Sequence, residues 1–456
     1  MTTTPSPHDH AVAPPTGDAP HPVSRAGVGE TLRLATTALA PMLAQGIIVR
    51  RPRLVRLADR LQVDDRAVRA LQRSRQRHGP GLLRLRVPGR SLALVMSAAD
   101  AGRVLAGGPF TPATREKKAA LQHFQPGGVL ITDTAHRPAR RRWNEHVLQM
   151  DVPLHAQAAS VARIAAEELG PLRAAGTWDW ESFAPAWWRV VRRLTLGDSA
   201  RDDVALTDLL AELRGRGNWA YLRRTDTAAR ARLLEGIGRY LERAEPGSLA
   251  ATVAAAPDDP AVPVADQVAH WLFAWDAAGI ATHRALALLA GHPDHAAAVA
   301  AEIGAADVER PDLPLLRATV LESVRLWPTT LAVLRESEGP TDWAGTRLRP
   351  GTTFVVASSL VHRDDETLPD ADRFAPHLWA DDVAPAGTSA SLWSMVPFSA
   401  GPARCPGRDL VLYTTGVVLA ALTGGRRVEQ VAGRRAVEGQ GIPRTLDHTA
   451  LAYRLS

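Results

Sequence analysis

From about residue 55 to residue 330, apolar positions recur every three or four residues between Gly and Pro breaks, as in Ala156 to Leu169, AQAASVARIAAEEL. That is the period of amphipathic helices. Alternating patterns are few: Leu82 to Val87, Leu92 to Val95 and Phe354 to Ala357 predict short strands. The longest helical signal runs from Pro263 to Ala290, PVADQVAHWLFAWDAAGIATHRALALLA, stopped by Gly291 and Pro293. At 1.5 Å per residue it extends roughly 40 Å, enough to cross a domain. It is apolar nearly all round, so it belongs in a core, where Asp276 is costly unless paired, hydrated or used. A further helix is predicted over Pro406 to Leu422, with proline in its first turn and Gly424-Gly425 as its stop. The pattern predicts a mainly α chain with small β-sheets: one mixed domain over residues 28–456 after a Pro-, Thr- and Ala-rich disordered tail, residues 1–27.

Composition narrows this only a little. The 456 residues are 45% hydrophobic and 22% charged, an ordinary globular balance. The net charge of +6 comes from scattered arginines, Lys117 and Lys118 being the only lysines. With no zinc-finger spacing, basic zipper or RNA-binding aromatic signature, nucleic acid is not an expected partner. Leu32 to Val49 is apolar but broken by Arg33, Pro41 and Gln45, too short for a spanning helix. A peripheral membrane contact stays open. A single cysteine, Cys405, permits no internal disulfide, and a cytoplasmic location is expected.

That cysteine lies in Pro397 to Arg408, PFSAGPARCPGR. Placed at the N-cap of the predicted helix, its sulfur is biased toward thiolate by the unpaired N–H groups and the dipole. As a nucleophile it lacks a histidine base in the surrounding segment, leaving only a distant one. As a zinc ligand it lacks any second cysteine or HExxH partner. An axial thiolate to haem iron needs one cysteine, glycines for close approach and N–H donors to tune the sulfur, all present here.

PFSAGPARCPG resembles the haem-binding loop of the cytochrome P-450 superfamily, with Phe398, Gly401, Cys405 and Gly407 at matching positions. Leu321 to Pro328, LESVRLWP, resembles the ExxR helix with Glu322 and Arg325; Ala371 to Pro376, ADRFAP, resembles the segment giving the network's second arginine, Arg373. Asp133 to Trp143, DTAHRPARRRW, resembles the helix whose His136 and Arg140 face the haem propionates, and Arg335 in LAVLRES matches a further propionate arginine. The resemblance covers about residues 55–456 and implies the P-450 fold. In it, haem b lies between the long helix and the cysteine-loop helix with Cys405 as iron ligand. It also implies a monooxygenase that oxidises a small apolar substrate, with electrons from a separate ferredoxin and ferredoxin reductase. A role in secondary metabolism is an association of the alanine- and arginine-rich composition. Segments 104–130, 273–281 and 329–334 are the implied substrate walls.

Two departures stand out. The loop's usual basic residue two places before cysteine is Ala403, with Arg404 displaced next to the sulfur, toward a propionate or toward an acidic donor on the proximal surface. Counting without gaps from Gly291-His292-Pro293 puts the acid of the long helix's acid-threonine motif on Asp276, the catalytic candidate, and its threonine on Ala277. The rival register, Ala278 to Thr282, restores Thr282 but loses the acid. The missing hydroxyl keeps two further readings open: a peroxide-using peroxygenase, and a haem-binding recruitment protein that has lost oxygen activation.

Overall fold

The structure is a computed structural model that describes residues 20–152, 154–379 and 395–456. Its strands are β1 (Val23–Arg25), β2 (Leu82–Leu85), β3 (Ser91–Val95), β4 (Phe110–Thr111), β5 (Thr177–Asp179), β6 (Ala332–Ser337), β7 (Thr341–Trp343), β8 (Thr346–Leu348), β9 (Thr352–Ala357), β10 (Val428–Ala432) and β11 (Ala452–Leu455). Six form one sheet in the order β1-β2-β3-β9-β6-β4. β1 pairs parallel with β2 in the register Val23 with Leu82 to Arg25 with Arg84. The tail expected over residues 1–27 is therefore too long: residues 1–19 lie outside the described residues, but Val23–Arg25 form an edge strand. Three residues carry too little alternation to betray a strand; the paired backbone groups of β2 create it.

Everything else is mainly helical, as expected. The long helix spans Val264–Gly291. Its last residue must be glycine, because a Cβ on Gly291 would fall 1.7 Å from the Ala436 carbonyl oxygen. Around this central helix pack Trp180–Leu196, Pro314–Leu326 and Arg408–Thr423, joined in one apolar core. Trp143 stacks on Trp271 with ring centroids 5.8 Å apart. Trp187 enters against Gly279, where an added Cβ would lie 2.6 Å from the indole nitrogen. A second, sheet-side core gathers Val104, Leu105, Val333, Phe354 and Val396. Among the described residues no helix is long and apolar enough to cross a membrane. Leu32 to Val49 is instead two short helices joined by a π-helical turn.

The core holds several histidines neutral. Burial pushes His283 and His362 down to about 3 and His295 to about 4. The unfolded chain protonates them near the ordinary 6.5, so below that pH it binds protons the native state refuses. Stability then falls as pH falls, by about 1.4 kcal/mol per pH unit per histidine until the native value is reached. Thermal unfolding followed by circular dichroism should show Tm dropping steadily from pH 6.5 to pH 4.5. A flat profile over that window contradicts the assignment.

Candidate functional site

The cysteine loop is fixed from both sides. Gly401 turns with φ 64°, and a Cβ there would sit 2.1 Å from the Leu105 carbonyl oxygen, so only glycine fits. The Cys405 N–H donates to the Phe398 carbonyl at 2.9 Å, closing the loop. The helix begins at Arg408 with Gly407 as N-cap, not at Cys405 as the sequence suggests. Consequently the thiol gains less from the helix end than expected: burial pushes it up, and the Gly407 N–H only partly offsets that. Gly407 is open to a Cβ in the chain itself, since the nearest atom, Leu148 Cδ1, would be 3.5 Å away.

Arg404 points outward to pair with Asp151, while its carbonyl accepts from Arg141 Nη1. The helix Arg137–Val147 likewise shifts the expected face. His136 is its N-cap, exposed and bonded to Asp133. Arg140 gives Nε to the Ala261 carbonyl and Nη1 to Gly127 O and Thr132 Oγ1. That arginine pins the segment around Val129 over the central helix, where Asp266 and Gln267 also hold Gly127 and Val129.

The neighbour that sequence reading missed is Arg137. Its Nη1 donates to Val129 O at 2.7 Å. Lys117 Nζ donates to Leu334 O at 3.2 Å, and Arg335, 3% exposed on β6, holds Ser399 Oγ of the cysteine loop at 2.9 Å. Among the described residues none of the three has an ion pair with a carboxylate. Burial and the neighbouring guanidinium of Arg137 lower Arg335 to about 10. Burial, Arg335 and Arg137 together push Lys117 well below its ordinary value. Three cations withdrawn from water without a carboxylate among the described residues suit an anionic partner. The signal for Lys117 was its rarity, one of two lysines in an arginine-rich chain.

The central helix supplies the opposite wall. Between Asp266 and Leu289 it is buried except at His270, Phe273, Ala274, Asp276 and Ala277. His270, Ala274 and Ala277 follow one another at helical spacing along one partly exposed stripe. His270 is lowered to about 4 by burial, then by Arg137 and Lys117, placing it beside the cations. Thr282 lies on the stripe of Trp275 and Gly279, against Trp187, and spends its hydroxyl on the Ala278 carbonyl at 2.8 Å. It therefore lies off the stripe of His270, Ala274 and Ala277. Asp276 Oδ2 accepts from Arg214 Nη2 at 2.6 Å.

Behind the site, Glu322 is fully buried and accepts four bonds: from Arg325 Nε and Nη2, from Trp379 Nε1 at 2.8 Å and from the Ala375 N–H at 2.6 Å. Arg373 enters by its main chain, whose carbonyl accepts from Arg325 Nη2 at 2.7 Å; its side chain is exposed. The expected second guanidinium is thus replaced by the indole of Trp379, which the sequence reading missed. So was Arg363, buried and bonded to Leu326, Ile442, Pro443 and Ala371 carbonyls.

The mainly helical domain thus sets the chain's one cysteine in a loop leading into a helix that packs on the long central helix, with Lys117, Arg137 and Arg335 free of carboxylate ion pairs among the described residues. Residues 276–422 match the family model described as Cytochrome P450. Cyclooctat-9-en-7-ol 5-monooxygenase of Streptomyces melanosporofaciens is 29% identical over 153 residues, 32% of this chain and 33% of that protein. Cyclooctatin synthase of the same organism is 29% identical over 255 residues, 52% of this chain and 54% of that protein. The chain thus spans between a third and about half the length of these curated relatives. The solved structure titled "Retinoic acid bound cyanobacterial CYP120A1" has TM-score 0.64 at 18% identity, covering 84% of this chain and 93% of that one, and shows the same fold. Residues 276–422 thus fall in the cytochrome P450 family, and the chain has the fold of a solved cytochrome P450.

Membership implies a haem with iron and an axial cysteine thiolate. The residues present fit it. Lys117, Arg137 and Arg335 form the charge counterpart of two carboxylates, the cleft face of the central helix is small and apolar at Ala274 and Ala277, and Cys405 is the chain's one thiol.

Proposed function

We propose that this chain is a haem-thiolate monooxygenase acting on a small, largely apolar hydrocarbon of terpenoid type in secondary metabolism. The observation that supports it most is the three-cation cluster without an acid, set at the edge of the cleft that holds the only thiol. When bound, the haem supplies oxygen activation at its iron. Cys405 Sγ would ligate the iron, and the Gly407 N–H would temper its charge by donating to the sulfur. Lys117, Arg137 and Arg335 would hold the propionates by charge-assisted hydrogen bonds. Phe273, with Phe124 5.4 Å away, narrows the cleft above Ala274 and Ala277. Asp276 is the acid preceding Ala277 in the chain, and it would serve a proton path only by leaving Arg214. With alanine at position 277, the remaining donor or acceptor comes from water or from the substrate itself.

The relatives named above, with pentalenene oxygenase of Streptomyces avermitilis, 33% identical over 141 residues, 29% of this chain and 30% of that protein, suggest the terpenoid class. Electrons come from a ferredoxin and its reductase. Reconstitution with both and a panel of cyclic terpene hydrocarbons should give products carrying one added oxygen, detected by mass spectrometry. Turnover with hydrogen peroxide alone, and none with the donors, replaces this reading with a peroxygenase. A normal haem spectrum with no turnover under either regime supports a recruitment protein instead.

A further inference from the structure

Four arginines that lie far apart in the chain meet in one cleft. Arg50 precedes the helix Pro52–Leu61, Arg284 stands late on the central helix, and Arg363 and Arg444 come from the C-terminal part of the chain. They line about 430 Å³ of space, its mouth included, in which Asp64 is the one acidic lining residue. Arg284 and Arg444 are only 7% and 6% exposed, yet Arg284 Nε and Arg444 Nη1 have no hydrogen-bond partner among the described residues. Buried donors of that kind mark a place for an acceptor.

Charge says which acceptor. Arg363 and Arg444 share Asp372, and Arg444 also lies 3.5 Å from Asp65 and 3.3 Å from Asp365. Arg50 and Arg284 have no such counterpart. Arg50 Nη2 donates to the Pro328 and Thr329 carbonyls, and Arg284 donates through Nη1 and Nη2 to the Trp327 and Leu446 carbonyls. Neither forms an ion pair with a carboxylate among the described residues. Burial, then the Arg50 guanidinium, lowers Arg284 to about 10 against the pull of Asp447, Asp64 and Asp59. Asp64 offsets little of this, because burial raises it and its Oδ2 is engaged by Thr445 Oγ1 at 2.9 Å. Water would satisfy the two donors and leave the positive charge in place, whereas an oxyanion answers both.

We propose that this cleft binds a phosphate- or sulfate-sized oxyanion, which ties the N-terminal segment at Arg50 to the central helix at Arg284 and the C-terminal segment at Arg444. None of the four arginines belongs to the cation cluster or the cysteine loop, so the site stands independently of the monooxygenase reading.

Calorimetric titration of the haem-loaded full chain with inorganic phosphate tests it. One saturable site is expected, for which sulfate competes. Phosphate should also raise Tm by at least about 2 °C over sodium chloride of equal ionic strength. Arg284→Lys, which keeps the charge but not the Nε donor, should weaken binding at least roughly tenfold. Asp64→Asn removes the repelling carboxylate and should tighten binding at least roughly threefold, a gain that no folding defect mimics. Phenyl phosphate that binds tighter than phosphate supports the site and makes its ligand a phosphate ester; phenyl phosphate that binds no tighter supports it with the inorganic ion as ligand. Three results overturn the proposal: no saturable phosphate binding, equal stabilisation by chloride at matched ionic strength, or unchanged affinity in either variant.

Discussion

A Cys405→Ala chain should fold with a circular dichroism spectrum and Tm close to those of the parent, yet give no reduced, carbon monoxide-bound Soret band of the thiolate type. The side chain is half-buried and makes no side-chain hydrogen bond except the one received from Gly407, so its removal leaves little cavity and no orphaned charge. What it removes is the only thiol, and so the only thiolate ligand, in the chain. Iron loses an anionic axial donor that no neighbour replaces, because the basic residues nearest the loop, Arg141 and Arg408, are always charged and cannot ligate. Haem that still enters through the Lys117, Arg137 and Arg335 end should be released readily to apomyoglobin. A variant that keeps the parent's thiolate Soret band overturns the ligand assignment.

Glu322→Gln should be the most destabilising single conservative change in the chain. The carboxylate has all four of its bonds filled by donors, and Arg325 at 1% exposure has no other carboxylate. Neutralising one member of a buried pair leaves the other charge uncompensated, which costs about 3 to 5 kcal/mol. That is a large share of a total stability of roughly 5–15 kcal/mol. Urea unfolding should show the midpoint falling with the slope unchanged, and haem incorporation falling with it. Arg373→Ala is the contrasting case. Because Arg373 contributes a carbonyl and not its side chain, the substitution should shift the midpoint by less than about 0.5 kcal/mol, the usual size of an exposed change. Equal losses in the two variants would return the arginine side chain to the network.

What was legible in the sequence is what local pattern controls. The central helix, the ExxR pair and the cysteine loop each carry their signal within a dozen residues. The long helix was misjudged by one residue at either end. A helix face depends on where the helix is capped: with His136 as N-cap and bonded to Asp133, it is Arg137 that reaches the Val129 carbonyl. Arg404 was ambiguous until Asp151, some 250 residues earlier in the chain, was placed beside it. Trp379 and Arg363 act through carbonyls and a carboxylate that only tertiary structure assembles. β1 and the arginine-lined cleft at Arg284 are likewise meetings of distant segments, invisible to periodicity.

The cysteine loop belongs to two cores at once. Val396 and Ala400 pack with the sheet-side cluster, whereas Phe398 packs with the helical one, and Gly401 abuts Leu105 at the junction. The sulfur's position therefore depends on how the two halves meet, not on the rigidity of either. Warming that loosens their contact should degrade the thiolate signature several degrees before either half loses its secondary structure, so that the protein is chemically disarmed while still folded.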